Sequence, residues 1–344
     1  MASPPARPNL ERDGWLNSLG FEEIANFRDV AGVDRGAPAL RVTGGRLRRG
    51  MLYRSSQLQF ATQRDIAFMK DALGICTYID LRSDDGVLET RDAEVYDTYP
   101  PSPIRRPNQP APTTPGERRR ICLPVLKGIG MRKLTDAEKA GSQDAEPDTW
   151  LQLAFRDPVT KRVAKPSRKK STAEMAAELE KNLSLNNKAM LVLNGAMIAR
   201  VLRELVLQEN YPVVFGCVTG KDRTGLISCL VLGCLGASDE DIIADFMLSQ
   251  AAVLHNGSLA QRNLHLAMQE HPKIFGGMDL PTGSPTDPRN QVMASVFPAI
   301  MQFTIGVIRE RGGFEAYLSS IGFGLAEQRR LREILIEPDV SSRL

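Results

Sequence analysis

The chain has 344 residues, of which 42% are hydrophobic, a content that is normal for a soluble protein with a well-buried core. Its formal net charge of +3 is too small for nucleic-acid binding by bulk electrostatics, so we expect no nucleic-acid partner. The first residues do not resemble a secretory signal and no apolar run is long enough to span a bilayer, which favours a cytoplasmic protein.

The use of cysteine and histidine argues against both disulfide bonds and metal ions. The five cysteines are odd in number and lie mostly in apolar stretches, which suits a reducing compartment. None of the three histidines pairs with cysteine or glutamate at the spacing of metal ligands. We therefore predict no metal site and no cofactor.

In the first half of the chain, strand-like segments alternate with a helical one. The segments "GMLYRS" at 50–55 and "CTYIDLRS" at 76–83 predict short strands, and "TQRDIAFMKDALG" at 62–74 predicts a helix between them. The proline-rich stretch at about 97–118 predicts an extended surface insertion. The segment "RICLPVL" at 120–126 then predicts another strand.

The second half begins with a basic stretch at 156–172, which we interpret as a second surface insertion. Helices are predicted at 172–183 and 187–208, followed by the buried strand "YPVVFGC" at 211–217. The apolar spacing of "TGLISCLVLGCLG" at 224–236 is typical of a helix that packs on a sheet.

The remaining sequence predicts a helical C-terminal portion. Ser238 with three following acids is a favourable helix N-cap, and helices with polar interruptions, one at 276–288, are predicted to about residue 337. The predicted fold class is α/β, with a central, mainly parallel sheet flanked by helices. Residues 1–20 are interpreted as a tail and residues 21–340 as a single domain.

The segment "VVFGCVTGKDRTGL" at 213–226 leads from the buried strand through a short loop into a helix. The backbone N–H groups of such a loop and the positive end of the helix together form a cradle for an anion. Gly220 permits the tight curvature, and Arg223 offers a planar guanidinium to two phosphate oxygens. The predicted phosphate-binding residues are Val218, Thr219, Gly220, Lys221, Asp222, Arg223 and Thr224.

Cys217 is the predicted nucleophile of this loop. The field of the cradle stabilises a thiolate, which would attack a bound phosphoester and form a cysteinyl-phosphate that water then hydrolyses. Asp222 lies within the loop and can protonate the leaving oxygen or orient the water. Thr224 can donate a hydrogen bond to the sulfur as it leaves.

The alternative is that a cysteine and an arginine occur at this spacing by chance, because cysteine is a common buried residue. The apolar strand before Cys217 and the polar, glycine-containing loop before the helix favour the phosphate site. Cys229 and Cys234 are predicted to be core residues of the helix, and Cys76 and Cys122 to be unreactive strand residues.

The loop "CVTGKDRTG" at 217–225 resembles the signature loop of cysteine-dependent phosphatases. It is most similar to that of the tyrosine-phosphatase-like family with Lys-Asp-Arg in the loop, which has bacterial secreted members and fungal relatives. Four other stretches resemble motifs of this family in the same order: "NFRDVAG" at 26–32, "GMLYRSSQL" at 50–58, "YIDLRSDDG" at 78–86 and "GGFEAYLSSIGF" at 312–323.

This resemblance implies a phosphatase fold with the loop at the carboxyl end of a strand. It implies Cys217 as the nucleophile and Arg223 as the phosphate binder, with Lys221 and Asp222 as the distinguishing pair of the loop. Such enzymes often accept phosphotyrosine, phosphoserine/threonine and phosphoinositides. The expected partners are therefore a phosphorylated protein, a phosphoinositide or a small phosphate ester, and Lys221 would favour polyanionic head groups.

Polar residues of the other motifs are predicted to form a buried scaffold behind the loop. This set consists of Asn26, Arg28, Asp29, Arg54 and Ser55. Asp80 and Arg82 stand where a strand ends, the usual place for site residues in α/β sheets. Two roles stay open for Asp80, a second candidate for the general acid or the partner of an arginine in an internal ion pair.

The chain departs from the family pattern at Gly216, where most members have histidine before the cysteine. That histidine helps to hold the loop and to stabilise the thiolate, so its absence predicts a reduced or tuned activity and a gain of rate in Gly216→His. A pseudophosphatase that only binds phosphorylated partners is the alternative. A sulfur-transfer enzyme is a third reading, against which the Arg223–Thr224 ending and the outer motifs argue.

Two basic stretches lie outside the motifs, "RRR" at 118–120 and "KRVAKPSRKK" at 161–170. They could make weak contacts with an anionic membrane surface, although solvated surface insertions are the simpler interpretation. The second stretch also leaves a nuclear location open.

Overall fold

The computed structural model describes residues 20–32, 36–82, 94–102, 117–125, 171–255 and 295–339. Our predictions for the tail before residue 20, the basic segment at 156–170 and the polar interruption at 276–288 lie outside these ranges. Among the helices that are described, none has the length and apolar character needed to cross a lipid bilayer.

The described ranges contain eight strands, which form two sheets. In chain order they are β1 (Arg28–Asp29), β2 (Arg41–Val42), β3 (Gly45–Leu47), β4 (Leu52–Ser55), β5 (Thr77–Asp80), β6 (Arg119–Cys122), β7 (Val213–Gly216) and β8 (Ile336–Pro338). The main sheet has the order β1-β4-β7-β5-β6. Its last four strands run parallel and β1 is antiparallel to β4, which confirms the predicted, mainly parallel sheet.

β7 is the central strand of this sheet. Val213, Val214 and Phe215 are fully buried because helices cover both faces, which is why the strand is a continuous apolar run without alternation. Ser55, Gly216 and Asp80 are the last residues of three neighbouring parallel strands and lie in register. The chain segments that follow these three residues therefore meet at one edge of the sheet.

Nine α-helices surround the sheets in the described ranges. They are α1 (Gln63–Ala67), α2 (Val95–Thr98), α3 (Thr172–Leu193), α4 (Gly195–Glu204), α5 (Asp222–Leu235), α6 (Asp239–His255), α7 (Pro298–Glu310), α8 (Gly313–Ser320) and α9 (Leu325–Leu335). α5 begins directly after the loop at the end of β7. It contacts α6 on one side and β4 and β7 on another, so it fixes the loop to the core.

Local signals explain where the helices begin. The side chain of Thr62 accepts a hydrogen bond from Asp65 N and the Asp65 carboxylate accepts one from Thr62 N, a capping box that starts α1. The Ser238 hydroxyl accepts a hydrogen bond from Asp241 N at 3.1 Å, which confirms the predicted N-cap of α6.

The predicted break between helices at 184–186 is wrong. α3 continues through these polar residues to Leu193, and the break comes at Asn194, before α4. The sequence "SLNN" is tolerated within the helix because Asn187 is buried and donates a hydrogen bond to the Thr304 hydroxyl of α7 at 2.9 Å.

Two predictions about surface segments also need correction. Residues 97–102 do not begin an insertion, because Tyr99 is buried and Pro101 forms a bridge with β6. Arg119 and Arg120 are only 6% and 7% exposed. They lie in β6, where Arg119 hydrogen-bonds Asn210 and Arg120 stacks on the Tyr96 ring at 3.7 Å, so they are not available to a membrane surface.

The second sheet was not predicted. It has the order β2-β3-β8, and β8 at the C-terminal end of the described chain pairs antiparallel with β3 near its N-terminal end. Gly45 faces Pro338 in this pairing, and a side chain at this position would collide with the carbonyl of Glu337, 2.1 Å from an added Cβ. Our expectation of helix to about residue 337 is therefore wrong for the last residues.

Candidate active site

The loop from Cys217 to Lys221 connects β7 to α5 at the carboxyl edge of the main sheet. Cys217 follows the buried strand directly and is itself only 1% exposed. Gly220 has a φ of +69°, and a Cβ added there would lie 2.5 Å from the carbonyl oxygen of Ser55. Only glycine permits both this backbone conformation and such a close approach to the end of β4.

Two side chains hold the back of the loop by its carbonyl groups. Asn26 Nδ2 donates to the carbonyl oxygens of Thr219 and Gly220, each at 3.0 Å, and Arg54 Nη2 donates to Gly220 O at 2.9 Å. Within the described part of the chain, the backbone N–H groups of Val218, Thr219 and Gly220 donate no hydrogen bond. The loop therefore has its acceptors engaged on one side and has donors for an anion.

Arg223 lies in the first turn of α5 and is half-buried. Its Nη1 group is 3.4 Å from the carbonyl oxygen of Leu81, a long hydrogen bond. Leu81 is fixed in turn because its N–H donates to Gly216 O at 2.8 Å. This weakly held guanidinium, next to the loop, is suited to exchange the long bond to Leu81 for two phosphate oxygens.

Lys221 and Asp222 differ in their exposure. Lys221 is only 4% exposed, and its Nζ donates to the carbonyl oxygen of Ser295 at 3.1 Å. The Asp222 side chain is 27% exposed, with Oδ1 at 3.8 Å from Lys221 Nζ. Lys221 thus contacts the segment before α7, contrary to our expectation of a cation facing head groups, while Asp222 is accessible from solvent.

Asp80 forms an internal ion pair with Arg82, one of the two roles left open by the sequence. Arg82 Nε donates to Oδ1 at 2.9 Å and Nη2 to Oδ2 at 2.7 Å, with both side chains buried. Burial opposes ionisation of Asp80, but the guanidinium of Arg82 outweighs it and holds the pKa of this carboxyl below its usual value. A buried carboxylate in this state is a poor proton donor, which leaves Asp222 as the candidate acid.

The ion pair also supports the loop through Gln57, a residue that the sequence analysis did not single out. Arg82 Nη1 donates to Gln57 Oε1 at 3.2 Å, and the backbone N–H of Gln57 donates to the carbonyl oxygen of Val218 at 3.2 Å. Arg82 thus fixes the segment after β4 that contacts the loop. The motif "YRSSQL" contains this residue, but nothing in its pattern distinguishes Gln57 from a surface glutamine.

The predicted scaffold behind the loop is present, with one exception. Arg28 contacts Asn26, and Ser55 Oγ donates to Ser56 O at 2.8 Å. Asp29, however, accepts from Ala31 N at 2.9 Å and Gly50 N at 2.7 Å. It therefore fixes the chain around β1 and the start of β4 rather than the loop.

Gly216 proves to be required by packing, which changes the meaning of the absent histidine. A Cβ at this position would lie 2.9 Å from the carbonyl oxygens of both Ser55 and Ser56. Backbone atoms that close cannot move aside cheaply, so a side chain at Gly216 would force the end of β4 to shift. Our expectation that Gly216→His increases the rate therefore does not fit the structure.

We now expect Gly216→Ala and Gly216→His both to lower kcat/KM for p-nitrophenyl phosphate, by about 10-fold or more, because displacement of the strand end misplaces Cys217. The histidine variant should be the slower of the two. Steady-state rates measure the loss of kcat/KM, and melting temperatures show whether each variant is still folded. A faster Gly216→His variant would show that the strand ends adapt and that the missing imidazole limits activity.

The sequence model of the tyrosine phosphatase family, which matches residues 19–337, covers the main sheet, the loop and the C-terminal helices. The chain belongs to the tyrosine phosphatase family. The phosphatase is 24% identical over 249 residues to a protein of Cupriavidus necator that is named as a candidate tyrosine-protein phosphatase. That match covers 71% of this chain and 67% of the relative.

A second relative is the triple specificity protein phosphatase PtpB of Mycobacterium tuberculosis. It is 26% identical over 228 residues, which are 66% of this phosphatase and 67% of PtpB. The family membership identifies this protein as a phosphatase, an enzyme that acts on phosphorylated substrates.

The other cysteines of the phosphatase lie outside the loop, two of them in the core. Cys229 and Cys234 are buried in α5. Burial raises the pKa of the Cys234 thiol to about 11 and that of Cys229 further, so both are protonated at neutral pH. This agrees with their predicted role as core residues.

Proposed function

We propose that this phosphatase hydrolyses phosphate monoesters through a cysteinyl-phosphate on Cys217. The observation that carries the proposal is the loop itself, in which a cysteine, backbone N–H groups that donate to no described residue and the weakly held Arg223 meet at one edge of the sheet. Substrate phosphate would be held by these N–H groups and by the guanidinium of Arg223. No metal ion or cofactor enters the proposal.

In the first step, the thiolate sulfur of Cys217 bonds to phosphorus while the ester P–O bond breaks, and Asp222 gives a proton to the leaving oxygen. In the second step, a water oxygen bonds to phosphorus, the S–P bond breaks and Asp222 takes a proton from the water. Inorganic phosphate and the thiolate are the products. Asp222 suits both steps because its side chain is at the loop and partly exposed.

Thr224 supports the second step. Its Oγ1 atom is buried and has no hydrogen-bond partner among the residues that the structure describes. A buried hydroxyl of this kind can donate to the departing sulfur at little further free-energy cost, because it is already desolvated. This is the role that the sequence predicts for Thr224.

For the substrate we propose relaxed specificity over phosphotyrosine, phosphoserine/threonine and phosphoinositides. The name of the PtpB relative, a triple specificity phosphatase, supports acceptance of more than one class. A screen of matched phosphopeptides, soluble short-chain phosphoinositides and small phosphate esters would test it. Turnover of phosphotyrosine alone would reduce the proposal to a tyrosine phosphatase.

The cysteinyl-phosphate is tested by rapid-mixing kinetics with p-nitrophenyl phosphate. If hydrolysis of the intermediate is slower than its formation, we expect a burst of about one p-nitrophenol per enzyme, and trapped protein should carry phosphorus on Cys217. Transfer of the phosphoryl group directly to water, with no phosphorus on the protein under any condition of quenching, would contradict the mechanism.

Asp222→Asn tests the proton donor through the leaving group. We expect a loss of about 10²-fold on alkyl phosphates, whose leaving oxygen needs a proton, and a much smaller loss on p-nitrophenyl phosphate. Asp80→Asn is the matched control, because it removes the partner of buried Arg82 and should lower stability with no dependence on the leaving group. The reverse pattern would assign the acid to Asp80.

A further inference from the structure

Asp245 of α6 is a buried carboxylate that bonds two buried arginines behind the loop. Its Oδ1 is 3.2 Å from Arg28 Nε, and its Oδ2 bonds Arg54 Nη1. Arg28 Nη2 also donates to the backbone oxygen of Asp245 at 2.7 Å and to Ser249 Oγ at 3.2 Å. Asp245 is thus the point at which α6 is joined to β1 and β4.

Each arginine continues from Asp245 to the loop by a different route. Arg54 Nη2 donates directly to Gly220 O at 2.9 Å. Arg28 Nη1 donates to Asn26 Oδ1, which leaves Asn26 Nδ2 directed at the carbonyl oxygens of Thr219 and Gly220. The two routes meet on one carbonyl group, so the peptide after Gly220 is held from two sides.

The bond from Arg28 also determines the orientation of the Asn26 amide. Because Asn26 Oδ1 accepts from a guanidinium, its Nδ2 must point to the loop. Asn26 has a left-handed backbone conformation, with a φ of +55°, which asparagine tolerates better than most other residues. Asp245 therefore determines the geometry of a residue that it does not touch.

The state of charge of the cluster depends on Asp245. Burial opposes its ionisation, but the guanidiniums of Arg54 and Arg28 hold the pKa of the carboxyl below its usual value. Burial and the neighbouring Arg54 charge lower the pKa of Arg28 to about 9, so Arg28 and the Asp245 carboxylate are both charged at neutral pH. Without the carboxylate, two buried cations would face each other and separate.

We propose that Asp245 is a positioning residue of the catalytic loop, which holds Arg54 and the Arg28–Asn26 pair against the carbonyl groups of Thr219 and Gly220. This rests on the proposed function, because it assigns Asp245 the task of keeping the loop N–H groups in place for phosphate. Asp245 touches neither the substrate nor Cys217 in this role. A small displacement of such a loop lowers the rate of chemistry more than it lowers phosphate binding.

The test compares Asp245→Asn with Asp239→Asn in the full-length protein. Asp239 is a matched control on the same helix. Its carboxylate bonds Arg309 of α7, which is far in sequence from the loop. Rates on p-nitrophenyl phosphate and inhibition by inorganic phosphate are measured where circular dichroism shows each variant folded. For Asp245→Asn we expect kcat to fall about 10- to 100-fold with KM changed less than about three-fold, and for Asp239→Asn no change.

Arg28→Gln keeps the test decisive if Asp245→Asn does not fold, because it removes one route and should itself lower kcat about 10-fold. Where Asp245→Asn does fold, the Arg28→Gln/Asp245→Asn double variant should lose less than the product of the single losses, because both substitutions act on Asn26. An unchanged kcat in folded Asp245→Asn or in Arg28→Gln would overturn the proposal. Failure of the proposed function is seen separately, as wild-type protein that forms no phosphorus bond to Cys217.

Discussion

Replacement of Cys217 by serine is expected to lower the turnover of p-nitrophenyl phosphate by about 10⁴-fold or more, close to the background rate. A serine hydroxyl is not ionised at neutral pH and is a much weaker nucleophile towards phosphorus than a thiolate. Binding of inorganic phosphate should persist, because the loop N–H groups and Arg223 are untouched. Steady-state rates and isothermal titration with phosphate measure the two effects.

Cys122→Ser is the matched control for this substitution. Cys122 ends β6, two strands away from β7, and is partly buried. Its variant should keep the wild-type rate within about two-fold. Equal rates in both serine variants and the wild type would show that another group attacks phosphorus. A wild-type rate as low as that of Cys217→Ser, with phosphate still bound, would favour the binding-only alternative.

The second large effect is expected at Gly220, where alanine should lower kcat/KM by about 100-fold or more. The substitution strains a backbone with φ of +69° and adds a Cβ at 2.5 Å from Ser55 O. The loop must then withdraw from β4 and give up its bonds to Asn26 and Arg54. Rates, inorganic-phosphate inhibition and thermal unfolding of the variant measure the result.

Gly74→Ala separates the two causes of this effect. Gly74 has nearly the same backbone conformation, with φ of +65°, but a Cβ there would meet nothing within 4 Å. In Gly74→Ala the strained backbone should lower the free energy of unfolding by about 1–2 kcal/mol and leave kcat/KM unchanged. If Gly220→Ala behaved like Gly74→Ala, the close contact between the loop and β4 would have no role in catalysis.

The central part of the site was predictable from sequence because its signals are local. A continuous apolar run, a loop with Gly220 and a helix with one apolar face follow one another within a few residues, and each has a characteristic pattern. The expected position of the loop at the end of a parallel strand is confirmed for the same reason. The resemblance to family motifs also indicated which residues form the scaffold, with Asp29 as the exception.

What could not be predicted depends on contacts between distant residues. Asp245 lies within "DIIADFM" and looks like any acid on a helix surface, yet its partner Arg28 is 217 positions away. A run of three arginines looks like a solvated surface until the strand pairing of Arg119 and Arg120 is known. The lack of space at Gly216 could not be predicted either, because it comes from the carbonyl groups of Ser55 and Ser56 at the end of β4.

The bonds that join Asn26 to the loop connect residues 193 and 194 positions apart, and Asp245 lies further along the chain still. During synthesis Cys217 therefore leaves the ribosome before the helix that orders its surroundings has been made. A nascent chain ending at α5 would contain every group of the proposed mechanism but not the carboxylate that joins Arg28 and Arg54. Hydrolytic activity is accordingly expected only after α6 has been synthesised and has docked on β1 and β4.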